Sequence, residues 1–135
     1  MTHDLISRYG GNAPRYTSYP TAPHFSASVN GKVFESWLGD LDPAQPLSLY
    51  LHIPWCREMC WFCGCNTKIT KQYDPVGNFV VALRAEIASL LSKLDPAHRF
   101  KVSHIHFGGG SPTALKPEDL RAIMADLTDR IDILD

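Results

Sequence analysis

The sequence predicts an α/β protein: two consecutive βα units at the start of a parallel barrel, preceded by an extended arm and a short helix. Three observations carry this expectation. Leu47 to Ile53 alternates strictly between apolar and polar residues, the pattern of a strand with one buried face. Apolar residues then recur at helical spacing from Asp74 and again from Pro117. Between these stretches, Val102 to Phe107 reads as a second strand running straight into Gly108-Gly109-Gly110.

Residues 1–27 show no periodicity and carry Gly10-Gly11, Pro14, Pro20 and Pro23, so they are expected to form an extended arm. Val33, Phe34, Trp37, Leu38 and Leu41 predict a short helix ending near Gly39–Asp42. Asp42-Pro43 and Gln45-Pro46 then favour extended backbone. In the first strand Leu47, Leu49, Leu51 and Ile53 face one way and Ser48, Tyr50 and His52 the other. Such a strand suits a barrel with helices outside and a polar cavity within. Pro54 ends it, and a cysteine-rich loop follows at the carboxyl end, where βα barrels carry their active-site loops.

Asp74 is the expected cap of the next helix, with Pro75 in its first turn. Its apolar stripe is Val76, Phe79, Val80, Leu83, Ile87, Leu90, Leu91 and Leu94, and Asp95-Pro96 stops it. Pro117 opens the last helix with the stripe Leu120, Ile123, Met124, Leu127 and Ile131, although Lys116 is a poor cap. The chain divides into an arm and helix at residues 1–46 and a barrel segment at 47–135. Two βα units leave strand edges without neighbours, so the chain is expected to be truncated just before a third strand.

Composition narrows the classes of function. The 135 residues hold 13 Lys and Arg against 14 Asp and Glu, and the net charge of −1 comes with no basic block. That predicts no nucleic-acid or anionic-membrane partner. No apolar run is long enough to span a bilayer, and the start, Met1-Thr-His-Asp, has no apolar signal core. With every cysteine in one cluster, a reducing cytoplasm is the expected location.

All four cysteines lie within Cys56-Arg-Glu-Met-Cys60-Trp-Phe-Cys63-Gly-Cys65. A disulfide framework scatters its cysteines to close loops, and zinc fingers split their ligands into distant pairs. The C-x3-C-x2-C core instead suits a cubane iron–sulfur cluster ligated from one short loop. If three thiolates bind, one iron is left open to a small molecule.

This spacing is the signature of radical S-adenosylmethionine (SAM) enzymes. Pro46-Leu-Ser-Leu-Tyr-Leu-His-Ile-Pro-Trp-Cys56, Cys63-Gly-Cys-Asn66, Phe107-Gly-Gly-Gly-Ser-Pro-Thr113 and Pro14-Arg-Tyr-Thr-Ser-Tyr-Pro-Thr21 narrow it. From about Asn12 onward the chain closely resembles the oxygen-independent coproporphyrinogen III oxidase (coproporphyrinogen dehydrogenase) family. The resemblance implies the amino-terminal part of a partial TIM barrel in a much longer, monomeric enzyme. It implies that Cys56, Cys60 and Cys63 ligate a [4Fe–4S] cluster whose open iron is chelated by SAM. A 5′-deoxyadenosyl radical would take hydrogen from propionate side chains of coproporphyrinogen III. Loss of carbon dioxide and an electron leaves vinyl groups, yielding protoporphyrinogen IX in haem biosynthesis. A flavodoxin-like or ferredoxin-like donor would supply electrons.

By the same resemblance Tyr50 and Gly109 contact the cluster-bound SAM, while Phe62, Gly110 and Ser111 contact a second SAM molecule. The family pattern has Thr where this chain has Ser111, which keeps the hydroxyl. The glycines admit a ligand to the backbone, so a Cβ at position 109 is expected to obstruct SAM and leave the fold intact. No catalytic residue is assigned. Cys65 is either a packing neighbour of the cluster or a participant in catalysis. His52, His104 and His106 share the polar faces of their strands and are read as structural. Arg15, beside Tyr16 and Tyr19, either binds a substrate carboxylate or belongs to an arm covering the barrel mouth. Lys68 and Lys71 are read as solvated. A haem-trafficking radical-SAM relative, an iron–sulfur electron carrier and a zinc-binding module are the competing functions.

Overall fold

The computed structural model of the chain describes residues 2–10 and 21–134. Two compact units result, Met1–Phe34 and Glu35–Asp135.

In the first unit, Thr2–Tyr9 forms helix α1, where an extended arm was expected. The segment holds no Gly or Pro before Gly10, with Asp4 in its first turn and Arg8 in its last, both favourable to the helix dipole. Ala22–His24 is a single 3-10 turn. The Pro14–Pro20 stretch, with Arg15, Tyr16 and Tyr19, lies outside the described residues. Asn30 opens helix α2 (Gly31–Gly39), its side-chain oxygen accepting the backbone N–H of Lys32 at 3.0 Å.

The second unit is an open three-stranded parallel sheet, β1 (Leu47–Ile53), β4 (Phe100–Gly109) and β5 (Ile131–Ile133), in the order β1-β4-β5. Helices α3 (Asp74–Leu91) and α4 (Pro117–Thr128) are the crossovers. The β1 alternation is present as expected: Leu51 and Ile53 are buried, whereas Ser48 and Tyr50 are exposed. Leu51, Ile53, Val76, Val80, Ile87, Phe100, Val102, Ile123, Leu127 and Ile131 belong to one core. Burying each such side chain contributes about 1.5–3 kcal/mol.

Four local expectations change. The α3 cap position is Tyr73 rather than Asp74, which is already helical. Ile131 belongs to β5 rather than the α4 stripe, so a third strand has begun within the chain. Arg99 makes that turn possible: it donates to the Asp129, Thr128 and Ile131 carbonyls at 2.7, 3.0 and 3.1 Å, capping α4 as the chain enters β5. The second strand starts at Phe100 and holds a bulge: Leu47 pairs with Val102 but Ser48 pairs with His104. The extra residue, Ser103, lets Phe100 and Val102 bury on the same face as Ile105 and Phe107 while His104 and His106 stay on the other.

Arg84 on α3 grips Asp126 on α4 through two bonds, at 2.5 and 2.9 Å. The Arg84 guanidinium, chiefly by hydrogen bonding, holds the Asp126 carboxyl below its ordinary value. Folding then favours the ionised form, so the contribution is present above the ordinary carboxylate range and is lost as pH falls through the folded value. Asp126→Asn should therefore lower the melting temperature modestly at pH 7 but progressively less below about pH 4. Melts that differ equally at pH 7 and pH 3 would refute this.

Candidate radical SAM cofactor site

The site forms where the parallel strands end. Pro54 stops β1, but the chain then makes two further bridges, β2 (Trp55–Cys56) pairing in parallel with β3 (Lys68–Ile69). Lys68 N–H donates to Pro54 O at 2.5 Å and Thr70 N–H to Cys56 O at 2.9 Å. The cysteine loop is thus clipped shut at its base, a feature absent from the sequence-based expectations.

Within the loop Cys56 is half-buried, and Cys60, Cys63 and Cys65 are exposed free thiols. Cys63 N–H donates to Cys60 O at 3.1 Å, so the second and third cysteines share one tight turn. The Cys65 backbone N–H, then the Thr67 hydroxyl 3.7 Å from the sulfur, hold the Cys63 thiol below its ordinary value and favour the thiolate a metal requires. Phe62 projects from this turn, 91% exposed, beside exposed Met59 and Trp61.

The glycine loop is sewn directly onto the base of the cysteine loop. Gly110 N–H donates to Ile53 O at 2.7 Å and Ser111 N–H to Trp55 O at 2.8 Å. The Ser111 hydroxyl lies 3.6 Å from the Cys56 sulfur. Each glycine also makes room for one specific group. A Cβ on Gly108 would stand 2.8 Å from the Tyr50 ring, and one on Gly109 2.6 Å from the His52 ring. On Gly110 it would meet Cys56 Sγ at 2.9 Å and Trp55 O at 2.7 Å. Gly109 has φ +102°, which side-chain-bearing residues rarely adopt. The expectation that a Cβ at position 109 spares the fold is therefore wrong: it would displace His52 and strain the backbone.

Tyr50, 59% exposed, stands on the polar face of β1 and stacks on His106, with centroids 5.6 Å apart. Its hydroxyl lies 3.1 Å from His52 Nδ1, and His52 Nε2 lies 2.9 Å from Asn66 O. A carbonyl only accepts, so Nε2 is the donor to Asn66, and Nδ1 pairs with the Tyr50 hydroxyl. His52 therefore joins Tyr50 to the exit of the cysteine loop, a connection that strand alternation alone did not reveal. His104 is exposed, paired in register with Ser48. Tyr50, Gly109, Gly110, Ser111 and Cys56 are contiguous through these contacts. Cys60, Cys63 and Phe62 occupy the exposed turn.

The family model of the radical SAM superfamily matches residues 50–133, and the chain belongs to that superfamily. Among curated proteins it is 48% identical over 126 residues to the oxygen-independent coproporphyrinogen III oxidase of Bradyrhizobium diazoefficiens and 40% identical to that of Paracoccus denitrificans. Each alignment covers 93% of this chain and 28% of the relative. Among solved structures it matches coproporphyrinogen III oxidase from Escherichia coli, a radical SAM enzyme, with TM-score 0.78 and 34% identity, over 96% of this chain and 28% of that one. The chain thus spans about 28% of the length of these relatives.

The superfamily implies a [4Fe–4S] cluster and SAM, and the donor set fits them. Free thiols of graded exposure, one with a stabilised thiolate, offer soft ligands on one short loop. Among the described residues no three His, Cys, Asp or Glu groups gather around a single metal ion. A cubane attaches its ligands to separate irons and does not require that convergence. No helix among the described residues is long and apolar enough to cross a membrane.

Proposed function

We propose that the protein containing this chain is an oxygen-independent coproporphyrinogen III oxidase, converting coproporphyrinogen III to protoporphyrinogen IX. The observation that carries this is the joining of the two loops at the strand ends, with Ser111 against Cys56. Curated relatives 48% and 40% identical to this chain bear the name of that activity.

In this reading Cys56, Cys60 and Cys63 hold the cluster, and Cys65 contributes its backbone N–H to Cys63. Tyr50 and Gly109 form the wall for the cluster-bound SAM, and Phe62, Gly110 and Ser111 the contact for a second SAM. The bound cofactors supply a carbon-centred radical able to take hydrogen from a propionate arm. The chain's own task is positioning. Tyr50, held by its hydrogen bond to His52, presents an exposed hydroxyl to the ligand. The Gly110 and Ser111 N–H groups are committed to Ile53 and Trp55, and the Ser111 hydroxyl donates to the Cys56 sulfur at 3.6 Å, which leaves its oxygen lone pairs for a ligand. Further proposals are reduction by a flavodoxin-like or ferredoxin-like carrier, a cytoplasmic location, and a monomeric complete enzyme independent of nucleic acid and membrane.

The test is the EPR signal of the reduced, reconstituted full-length protein. Added SAM should alter it, because one iron is open. An indifferent signal would favour a cluster saturated by four thiolates, as in an electron carrier. Tyr50→Phe should keep its iron and weaken SAM binding about tenfold, the loss expected of one hydrogen bond to a charged ligand. Calorimetric titration showing unchanged affinity would remove Tyr50 from the site.

A further inference from the structure

We propose that Tyr73 is a positioning residue that clamps the exit of the cysteine loop to the exit of the glycine loop and so sets the approach of Ser111 to Cys56. Lys116 is a poor helix cap by sequence, and no side-chain cap bond forms from it. The capping comes from another element. The Lys116 backbone N–H donates to the Tyr73 hydroxyl oxygen at 3.0 Å, and that hydroxyl donates to the Asp119 carboxylate. In an ordinary capping box the third-position carboxylate reaches the cap N–H directly. Here a phenol is inserted between them, and it belongs to the segment leaving the cysteine loop. The Lys116 ammonium also sits 4.2 Å above the Tyr73 ring centroid, a cation–π contact that fixes the ring. Burial, then the bond to Asp119, raises the Tyr73 pKa and keeps the phenol protonated as a donor.

Both ends of this clamp lead back to Cys56. On one side Thr70 N–H donates to Cys56 O at 2.9 Å, and the Thr70 hydroxyl closes a turn with Gln72 at 3.1 and 3.2 Å, immediately before Tyr73. On the other side a 3-10 turn bonds Ala114 N–H to Ser111 O at 2.8 Å and Leu115 N–H to Pro112 O at 3.1 Å, immediately before Lys116. Leu115 is buried in the core, anchoring that arm. The result is a closed circuit from Cys56 through Thr70, Tyr73, Lys116 and Ser111 to Cys56 again. Tyr73 is the link between the two loop exits. Opening that link frees the glycine loop to drift relative to the cysteine loop.

Tyr73→Phe removes the hydroxyl and keeps the ring under Lys116. In hydrogen exchange on the full-length protein, the Gly110, Ser111 and Lys116 amides should exchange at least tenfold faster. Those of Leu51 and Val102 should keep their wild-type rates. Asp119→Asn, which retains an acceptor, should preserve protection, whereas Asp119→Ala should reproduce Tyr73→Phe. Asp126→Asn, which loosens the helices elsewhere, should not give this local pattern. Uniform acceleration across loop and strands, or none, would mean that Tyr73 is ordinary packing and overturn the clamp. The consequence for ligand rests on the proposed function: with iron content unchanged, SAM should bind Tyr73→Phe about tenfold more weakly. A wild type that binds no SAM would sink the proposed function, while the exchange result still decides the clamp. A wild type that binds SAM and a variant that binds it equally well would overturn the positioning role.

Discussion

Alanine at Cys56, Cys60 or Cys63 is expected to abolish iron loading in the reconstituted protein, whereas Cys65→Ala should retain it. The difference follows from what each residue supplies. The first three are the C-x3-C-x2-C thiols, and the turn that joins Cys60 to Cys63 places two of them on one short arc. Cys65 acts on Cys63 mainly through its backbone N–H, which alanine also has. Its thiol contributes least to holding the Cys63 thiol below its ordinary value, so losing it should change cluster assembly little. Iron and sulfide analysis of the four variants decides the matter. Equal loss in all four would replace the open-sited cluster by one held by four thiolates, and with it the case for SAM binding at iron.

Much of the scaffold was legible because burial imposes periodicity. The β1 alternation, the α3 and α4 stripes and the polar placement of His52, His104 and His106 all follow from which face meets the core. What escaped was governed by contacts between distant residues. The β2–β3 clip is two residues long on each side, too short for any period to declare itself. The α4 cap arrives from Tyr73, 43 positions away from Lys116, so inspecting residues next to Pro117 finds only a poor one. Helix α1 lay within a stretch whose glycines and prolines, all at or beyond Gly10, coloured the whole segment as extended. The bulge at Ser103 is a register event between two strands and has no local signature.

The candidate site divides in the same way. Its chemistry was readable in the cysteine spacing, while its mechanics were not. His52 looked like one more strand histidine, yet it bonds to both Tyr50 and Asn66. The three glycines looked like open space for a ligand, yet each is occupied from the strand side by a residue of the site itself. Small residues were required there because β1 and β4 run in register, with His52 opposite Gly108 and Ile53 opposite Gly109.

Gly110→Ala should consequently be more damaging than Gly108→Ala, while Gly109→Ala carries a separate strain from its positive φ. At Gly108 and Gly109 the obstructing atoms belong to side chains, Tyr50, His106 and His52, which have some freedom to turn aside. At Gly110 two of the three are backbone oxygens, Trp55 O at 2.7 Å and Ile53 O at 2.9 Å, and the third is the Cys56 sulfur. Those same oxygens accept the N–H groups of Ser111 and Gly110, so any retreat breaks the bonds that join the two loops. The expected cost is about 1–3 kcal/mol, the range for forcing atoms into a well-packed site. Because the displaced atoms flank Cys56, iron retention should fall along with stability. Gly108→Ala, which needs only small rotations of the exposed Tyr50 and His106, should melt closer to wild type and keep its iron. Chemical denaturation and iron content measured on both variants test the ranking. If Gly110→Ala proved as stable and as iron-replete as Gly108→Ala, the glycine loop would not be fastened to Cys56 in solution as it is here.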